Sequence, residues 1–354
     1  MNRPDGGPQP RHAIEAMGED WTASGKQVVS GAFTILERDA DHLVLERRDA
    51  GKGARRGNVE RVEYVRSSIA DALPVFERGD LDMIAARYTP RLADLVARDL
   101  PDAVVGQAGW SGYLAFDHTN SIGSNLELRR ALAHAVDRET LATAMAANLI
   151  VATGGIVPPS LQGHTPDISL RFDPDVARAC FDRAGVEGDI AVAFLEDDRE
   201  ILAPVFASWR SVLGVAVGER PWTLAELATM PPPREQAPIY FTGWLPGYAD
   251  PEYFLRLLFH SQSRTNEGGF EHPPFDDLIE RARQERSDRG RLALFHDADR
   301  MAVSDRVAVI PLVYGRSLAV LKPTVRGWWE FGKTSANFAD LTIDPATQTD
   351  RSVD

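Results

Sequence analysis

A change of pattern at residues 111–117 limits the fold more than any other feature of this sequence. Before it, short β-rich runs alternate with polar turns; after it, helical periodicity dominates, broken by apolar runs of strand length. VVSGAFTILE, HLVLERR and VERVEYVR predict a small antiparallel meander, with the basic turn GKGARRGN before its last strand. IADALPVFE predicts a helix from Ile69 that Gly79 terminates, with LDMIA from Leu81 as the next strand. SGYLAFD itself alternates like a half-buried strand. Beyond it, Leu128, Leu132, Ala135, Val136, Leu141, Met145 and Ile150 fall at helical spacing. Asp173 and Gly185 are natural start and stop signals for the helix that carries Val176, Cys180 and Phe181. AVAFLE, PIYFTGW and VAVIPLVYG predict buried strands, with helices through LAPVFASWRSVLG, FDDLIERARQER and LALFHDADRMAV.

The 354 residues predict two folding units or one bilobal unit, and 44% apolar content is enough to fill two cores. Thirty-nine Lys and Arg against 52 Asp and Glu leave a formal charge of −13, which repels nucleic acid and anionic lipid. No apolar run reaches the roughly 18 residues of a membrane helix, and the N-terminal stretch lacks the apolar core of a signal peptide. Taken as a complete product, the chain is therefore expected to be neither exported by that route nor anchored. The single cysteine, Cys180, rules out an intramolecular disulfide and a cysteine zinc cluster, and its place on the face of Val176 predicts a core thiol.

Reactive constellations are missing from the pattern. GKGARRGN lacks the Lys-Ser/Thr end of a phosphate loop, no HExxH occurs, and GWSGY has Tyr113 where a nucleophile elbow needs its second glycine. His134 and His296 read as isolated structural or surface residues, and Glu196, Asp197 and Asp198 as a solvated loop. The expectation is no enzyme, no metal and no cofactor. Aromatic residues instead gather at strand ends and loops: Trp110, Tyr113, Phe116, Trp244, Tyr248, Tyr253 and Phe254. Core packing would account for each singly, but aromatics on loops are also how small organic ligands are stacked and oriented.

Seven segments, in order, resemble the extracytoplasmic solute-binding protein family 5, the peptide, dipeptide and nickel receptors of ABC importers. SGAFTILERDADHLVLERR resembles the family's GTGPY hairpin, VFERGDLDMI its LxxGevDi segment, and YLAFDHTN with LRRALAHAVDRETL the lobe-crossing strand and RQALxxAiDRe helix. GGIVPPSLQGH, FDPDVARACFDRAG, GWLPGYADPEYF, and VIPLVYG leading to VRGW continue the series, so that the match runs from about Val28 to Asp344. The resemblance implies an α/β, periplasmic-binding-protein-like bilobal fold of type II, with one lobe complete and the first lobe partial. It divides the chain into a loosely ordered 1–26, a partial lobe I of 27–116 plus 313–345, a second lobe of 117–312 and a tail of 346–354. It also implies a clamp that closes on a ligand without chemistry, delivers it to the membrane subunits of an importer and works on the extracytoplasmic side. Two other readings stay open: a cytoplasmic ligand-sensing fragment of the same fold, and an inert truncated product.

The expected ligand contacts are Tyr113, Trp244, Tyr248 and Asp250. Alternation puts Tyr113 and Ala115 on one face of their strand and Leu114 and Phe116 on the other, so Tyr113 is assigned to the cleft. Trp244 and Tyr248 are expected to form its aromatic wall. In the family's peptide receptors an Asp three residues after the loop Trp pairs with the ligand's α-amino group; that position here is the neutral Gly247. A free dipeptide is then expected to bind poorly unless an acid arrives from elsewhere, Asp250 among the candidates. Asp250 precedes a proline, however, and its preferred role is to cap the helix beginning there.

Overall fold

In the computed structural model, described residues are 10–23, 25–29, 31–48, 57–87, 103–145, 150–223, 226, 233–328 and 338–344. Most of the basic turn GKGARRGN, residues 1–9 and the tail from 346 lie outside them. The chain forms two compact units: residues 1–87, 94–106 and 317–354 in one, and residues 88–93 and 107–316 in the other.

The first unit begins with a short helix, α1 (Arg11–Met17), within the stretch expected to be loosely ordered. The antiparallel meander follows as β1 (Phe33–Arg38), β2 (His42–Arg47) and β3 (Arg61–Val65). The helix α2 (Ile69–Glu77) is capped by Ser68, whose hydroxyl accepts from the Asp71 N–H. Gly79, at φ +90°, supplies the left-handed step after it. β4 (Met83–Arg87) pairs antiparallel with Ser317–Leu321, and β11 (Val325–Arg326) pairs with β12 (Thr342–Ile343).

The second unit is a sheet covered on both faces. Its strand order is β10 (Val309–Leu321), β5 (Ala103–Phe116), β9 (Ile239–Trp244), β7 (Ile190–Leu195) and β8 (Val217–Trp222), with the short β6 (Ile150–Val151) beside β10. β5 and β9 are antiparallel, whereas β7 runs parallel to β8 and β9. Its helices are α3 (Leu126–His134), α4 (Arg138–Met145), α5 (Pro174–Ala184), α6 (Arg199–Leu213), α7 (Pro233–Gln236), α8 (Glu252–Phe259), α9 (Pro273–Gln284) and α10 (Asp288–Arg300). One face buries Leu114, Phe116, Phe194 and Phe241 against Leu128, Leu132, Phe206 and Trp209 of α3 and α6. The other buries Tyr113, Ala115, Ala193 and Tyr240 among Phe254, Phe259, Phe275 and Phe295 of α8, α9 and α10. Polar anchors lock these layers. The Trp209 indole donates to the Leu132 carbonyl, and the buried Arg129 guanidinium donates to the carbonyls of Gly123, Arg306 and Val307.

Three expectations need correction. Ser111–Phe116 is buried on both faces rather than one, because helices cover each side of the sheet. Ile150 leaves the helical repeat and pairs with Tyr314 in the sheet. Cys180 is buried as expected, but Val176 is 39% exposed. The buried neighbour of Cys180 is Ala177, since the inward stripe of α5 follows i−3 rather than i−4. Asp173 does cap α5, accepting from the N–H groups of Asp175 and Val176, and Gly185 ends it at φ +60°.

Candidate ligand-binding site

The antiparallel register of β5 and β9 builds the floor of a cavity. Tyr113 lies opposite Thr242, and Ala115 lies opposite Tyr240. Cross-strand partners project to the same face, so the alternation that points Tyr113 away from Leu114 also gathers Thr242, Tyr240 and Trp244 beside it. These residues line a cavity of about 140 Å³ lying within the second unit. On the opposite face Trp110 packs over two glycines. A Cβ on Gly243 would come within 2.1 Å of the Trp110 indole nitrogen, and one on Gly112 within 2.6 Å of the same ring. The glycines are required because the indole occupies the volume their side chains would take.

The roof comes from Leu258 and Phe259 of α8, from the loop 265–270, and from Ala308 and Val309. Asn266 stiffens this loop: its amide donates to the carbonyls of His260 and Phe270 and its oxygen accepts from the Phe270 N–H. The Thr265 hydroxyl donates to the Leu257 carbonyl. Gly268 lets the loop approach the end of β5, since a Cβ there would lie 2.7 Å from the Phe116 carbonyl, and its own carbonyl accepts from the His118 N–H. Glu267, carried by this loop, lines the cavity.

Burial sets the charge state of the lining. Desolvation pushes the phenols of Tyr113 and Tyr240 far up, with the Glu267 carboxylate acting in the same direction on both. Both rings therefore stay neutral. The His118 imidazole, which also lines the cavity, is pulled down to about 4, chiefly by burial. Its Nε2 lies 3.2 Å from the Ala308 carbonyl, so that nitrogen carries the proton and Nδ1 remains an acceptor.

The loop after β9 separates the four expected contacts. Trp244 lines the cavity with Tyr113, and its indole N–H donates to the Tyr253 carbonyl at 3.0 Å. Tyr248 is 39% exposed, stands edge-on to Tyr253 and is not among the lining residues. Asp250 also stands outside the lining. One of its oxygens accepts from the Glu252 N–H at the start of α8, and the carboxylate receives both terminal nitrogens of Arg291 at 2.7 and 2.9 Å. Tyr240 and Thr242 were legible beside Trp244 in IYFTGW by the same alternation, whereas Glu267 and His118 carry no periodic signal at all.

A model of the bacterial extracellular solute-binding proteins, family 5 Middle, matches residues 5–266. The chain belongs to this family. Among curated proteins it resembles the periplasmic oligopeptide-binding protein OppA of Escherichia coli, at 24% identity over 343 residues, 92% of this chain and 62% of that protein. The probable deoxycholate-binding periplasmic protein YgiS of the same organism is also 24% identical, over 91% of this chain and 62% of its own length. The chain thus spans about 62% of the length of these relatives. Of solved structures, the murein tripeptide binding protein MppA of Escherichia coli shares the fold with a TM-score of 0.78, at 19% identity, over 95% of this chain and 68% of that one. An oligopeptide-binding protein of Borrelia burgdorferi gives 0.76 at 21% identity, over 95% and 69%. The expected mixed α/β fold of periplasmic peptide-binding proteins is the one observed. The named relatives are binding proteins rather than enzymes. Among the described residues no helix is long and apolar enough to cross a membrane.

Proposed function

We propose that this family member captures a small organic solute, peptide-like in size and polarity, in the cavity floored by Tyr113, Tyr240, Thr242 and Trp244. One observation carries the reading. The Tyr113 and Tyr240 side chains are only 5% and 3% exposed, yet neither hydroxyl makes a hydrogen bond to the protein, although both residues line the cavity. Neither residue's hydroxyl oxygen is among the sealed, unpaired polar atoms of the core, so both open onto the cavity, and a ligand that bonds them replaces water there, a gain of about 0.5–1.5 kcal/mol for each neutral hydrogen bond. Trp244, held by its bond to Tyr253, adds a fixed aromatic surface. No bond of the solute is made or broken in this reading. The periplasmic names of the relatives favour extracytoplasmic capture and delivery to the membrane subunits of an ABC importer over a cytoplasmic sensor.

The test is calorimetric titration of the whole chain with a panel of di- to pentapeptides and with deoxycholate. Saturable binding that weakens at least about tenfold in Trp244→Ala and in Tyr113→Phe is expected. Binding that is indifferent to both substitutions would place the ligand elsewhere and refute the site.

A further inference from the structure

One acceptor of the cavity lining is fixed from three sides. The His118 backbone N–H donates to the Gly268 carbonyl, and its ring stands edge-on to Phe116 and Phe270, at 6.3 and 5.3 Å between centroids. Its Nε2 donates to the Ala308 carbonyl at 3.2 Å. Backbone strain places that carbonyl. Val307, just before it, holds φ +44°, a left-handed conformation that a β-branched residue resists, and the buried Arg129 guanidinium donates to the carbonyls of Arg306 and Val307. Nδ1 is left over: among the described residues it has no hydrogen-bond partner, and it is not one of the sealed, unpaired polar atoms of the core.

We infer that the cavity is a pocket for one uncharged aromatic ring carrying a hydroxyl or an N–H, and that His118 Nδ1 is the acceptor that selects it. The inference rests on the solute-binding reading above and adds the class of group that enters. Size sets the ring. A cavity of about 140 Å³ compares with the roughly 150 Å³ that holds benzene in a protein core, so the space is that of one ring. Trp244, Phe259 and Phe270 offer aromatic surface to its faces, and Leu258 an aliphatic one. Chemistry sets the substituent. The Tyr113 and Tyr240 hydroxyls can donate or accept, whereas Nδ1 only accepts, so a bare ring would leave it without a bond. A full charge on the ring is disfavoured by the same lining. Burial keeps the phenols and the imidazole neutral, and the one charged residue described in the lining, Glu267, is exposed, so a desolvated ion would find no buried countercharge. A peptide would present such a group as a tyrosine side chain; a phenolic solute would enter alone.

Ligand-observed NMR titration of the whole chain at pH 7 tests this with phenol, its isostere toluene, and benzylammonium. Phenol is expected to saturate at millimolar concentration or below and to bind at least about fivefold more tightly than either of the others. In His118→Phe, which keeps a ring between Phe116 and Phe270, the preference over toluene is expected to fall below about twofold while toluene binding persists. Because that variant also loses the bond to Ala308, a second readout uses the native chain, labelled with heavy nitrogen at histidine. There phenol is expected to move one unprotonated imidazole nitrogen signal toward the protonated range, and toluene to leave it in place. Competition names the source of the ring: displacement of phenol by Ala-Tyr-Ala but not by Ala-Leu-Ala assigns it to a peptide's tyrosine, and no displacement assigns it to a free phenolic solute. No saturable phenol binding, equal or tighter binding of toluene or benzylammonium, a preference that survives in His118→Phe, or imidazole signals indifferent to phenol would overturn the ring pocket. Saturable binding of the peptides or of deoxycholate would then still leave the solute-binding reading standing, whereas failure of phenol, peptides and deoxycholate alike would remove both.

Discussion

Asp299 →Asn isolates the most heavily desolvated acid in the second unit. Asp299 is fully buried in the last turn of α10, where one carboxyl oxygen accepts from the Ile156 N–H at 2.9 Å. The other oxygen and the adjacent Thr165 hydroxyl are both buried without a hydrogen bond of normal geometry. The neighbour is Gly155, where a Cβ would come within 1.7 Å of the carboxylate, which is why the segment Gly154-Gly155 cannot carry side chains here. Burial pushes Asp299 from 3.8 up to about 7. The sign follows from proton counts. Between about pH 4 and pH 7 the unfolded chain has released this proton and the folded one has kept it, so stability falls as pH rises through that window. About three pH units at ~1.4 kcal/mol each come to ~4 kcal/mol in all, with ~3 kcal/mol falling above pH 4.5.

His118 works in the opposite direction. Its pKa is lowered from 6.5 to about 4, so the unfolded chain binds the extra proton and stability rises with pH between those values, by ~3 kcal/mol. The two slopes nearly cancel in the native chain. Carboxylates held low by hydrogen bonds, Asp117 and Asp137 among them, lose their contribution only below about pH 4. Urea unfolding from pH 4.5 to 8 is therefore expected to show a shallow profile for the native chain and a rising one for Asp299→Asn, the two diverging by about 3 kcal/mol. The substitution itself shifts the whole curve by a constant, so the slope is the readout. Parallel curves would mean that Asp299 is already ionised in the folded protein, and would refute the burial argument.

Three further outcomes are expected. Asp250→Asn removes one charge of the pair with Arg291 and is expected to cost about 1–3 kcal/mol in thermal unfolding while leaving solute affinity within about twofold; the reverse pattern would make Asp250 a ligand contact. Gly243→Ala forces the Trp110 indole from its seat and is expected to cost about 1–3 kcal/mol, read as a loss of urea midpoint, with unchanged stability as the contrary result. Arg129→Met leaves the carbonyls of Gly123, Arg306 and Val307 without their buried donor and is expected to cost about 3 kcal/mol or more; a neutral effect would show that water replaces the guanidinium.

What was legible in the sequence is what depends on neighbours along the chain. Parity in SGYLAFD separated Tyr113 from Phe116, and the capping chemistry of Asp173 and Gly185 located both ends of α5, because side-chain direction and helix termini are set within a few residues. Parity could not tell that both faces of that strand would be covered, nor that Ile150 would leave its helical repeat to pair with Tyr314, since those facts are decided by elements far away in sequence. The site divides along the same line. Tyr113 is a local reading, and the register of β5 with β9 then brings Thr242, Tyr240 and Trp244 to its face without further information. Glu267 is different: it follows from the fit of two glycines against β5 and from the grip of Asn266 on a loop about 150 residues downstream of Tyr113, and none of these leaves a period in the sequence. A strand's alternation can thus reveal the aromatic floor of a cavity, while Glu267 is brought to its lining by a tertiary contact. Substitution at Gly268 should expose that difference, because a Cβ 2.7 Å from the Phe116 carbonyl must displace the loop and its carboxylate while the aromatic floor on β5 and β9 stays in place.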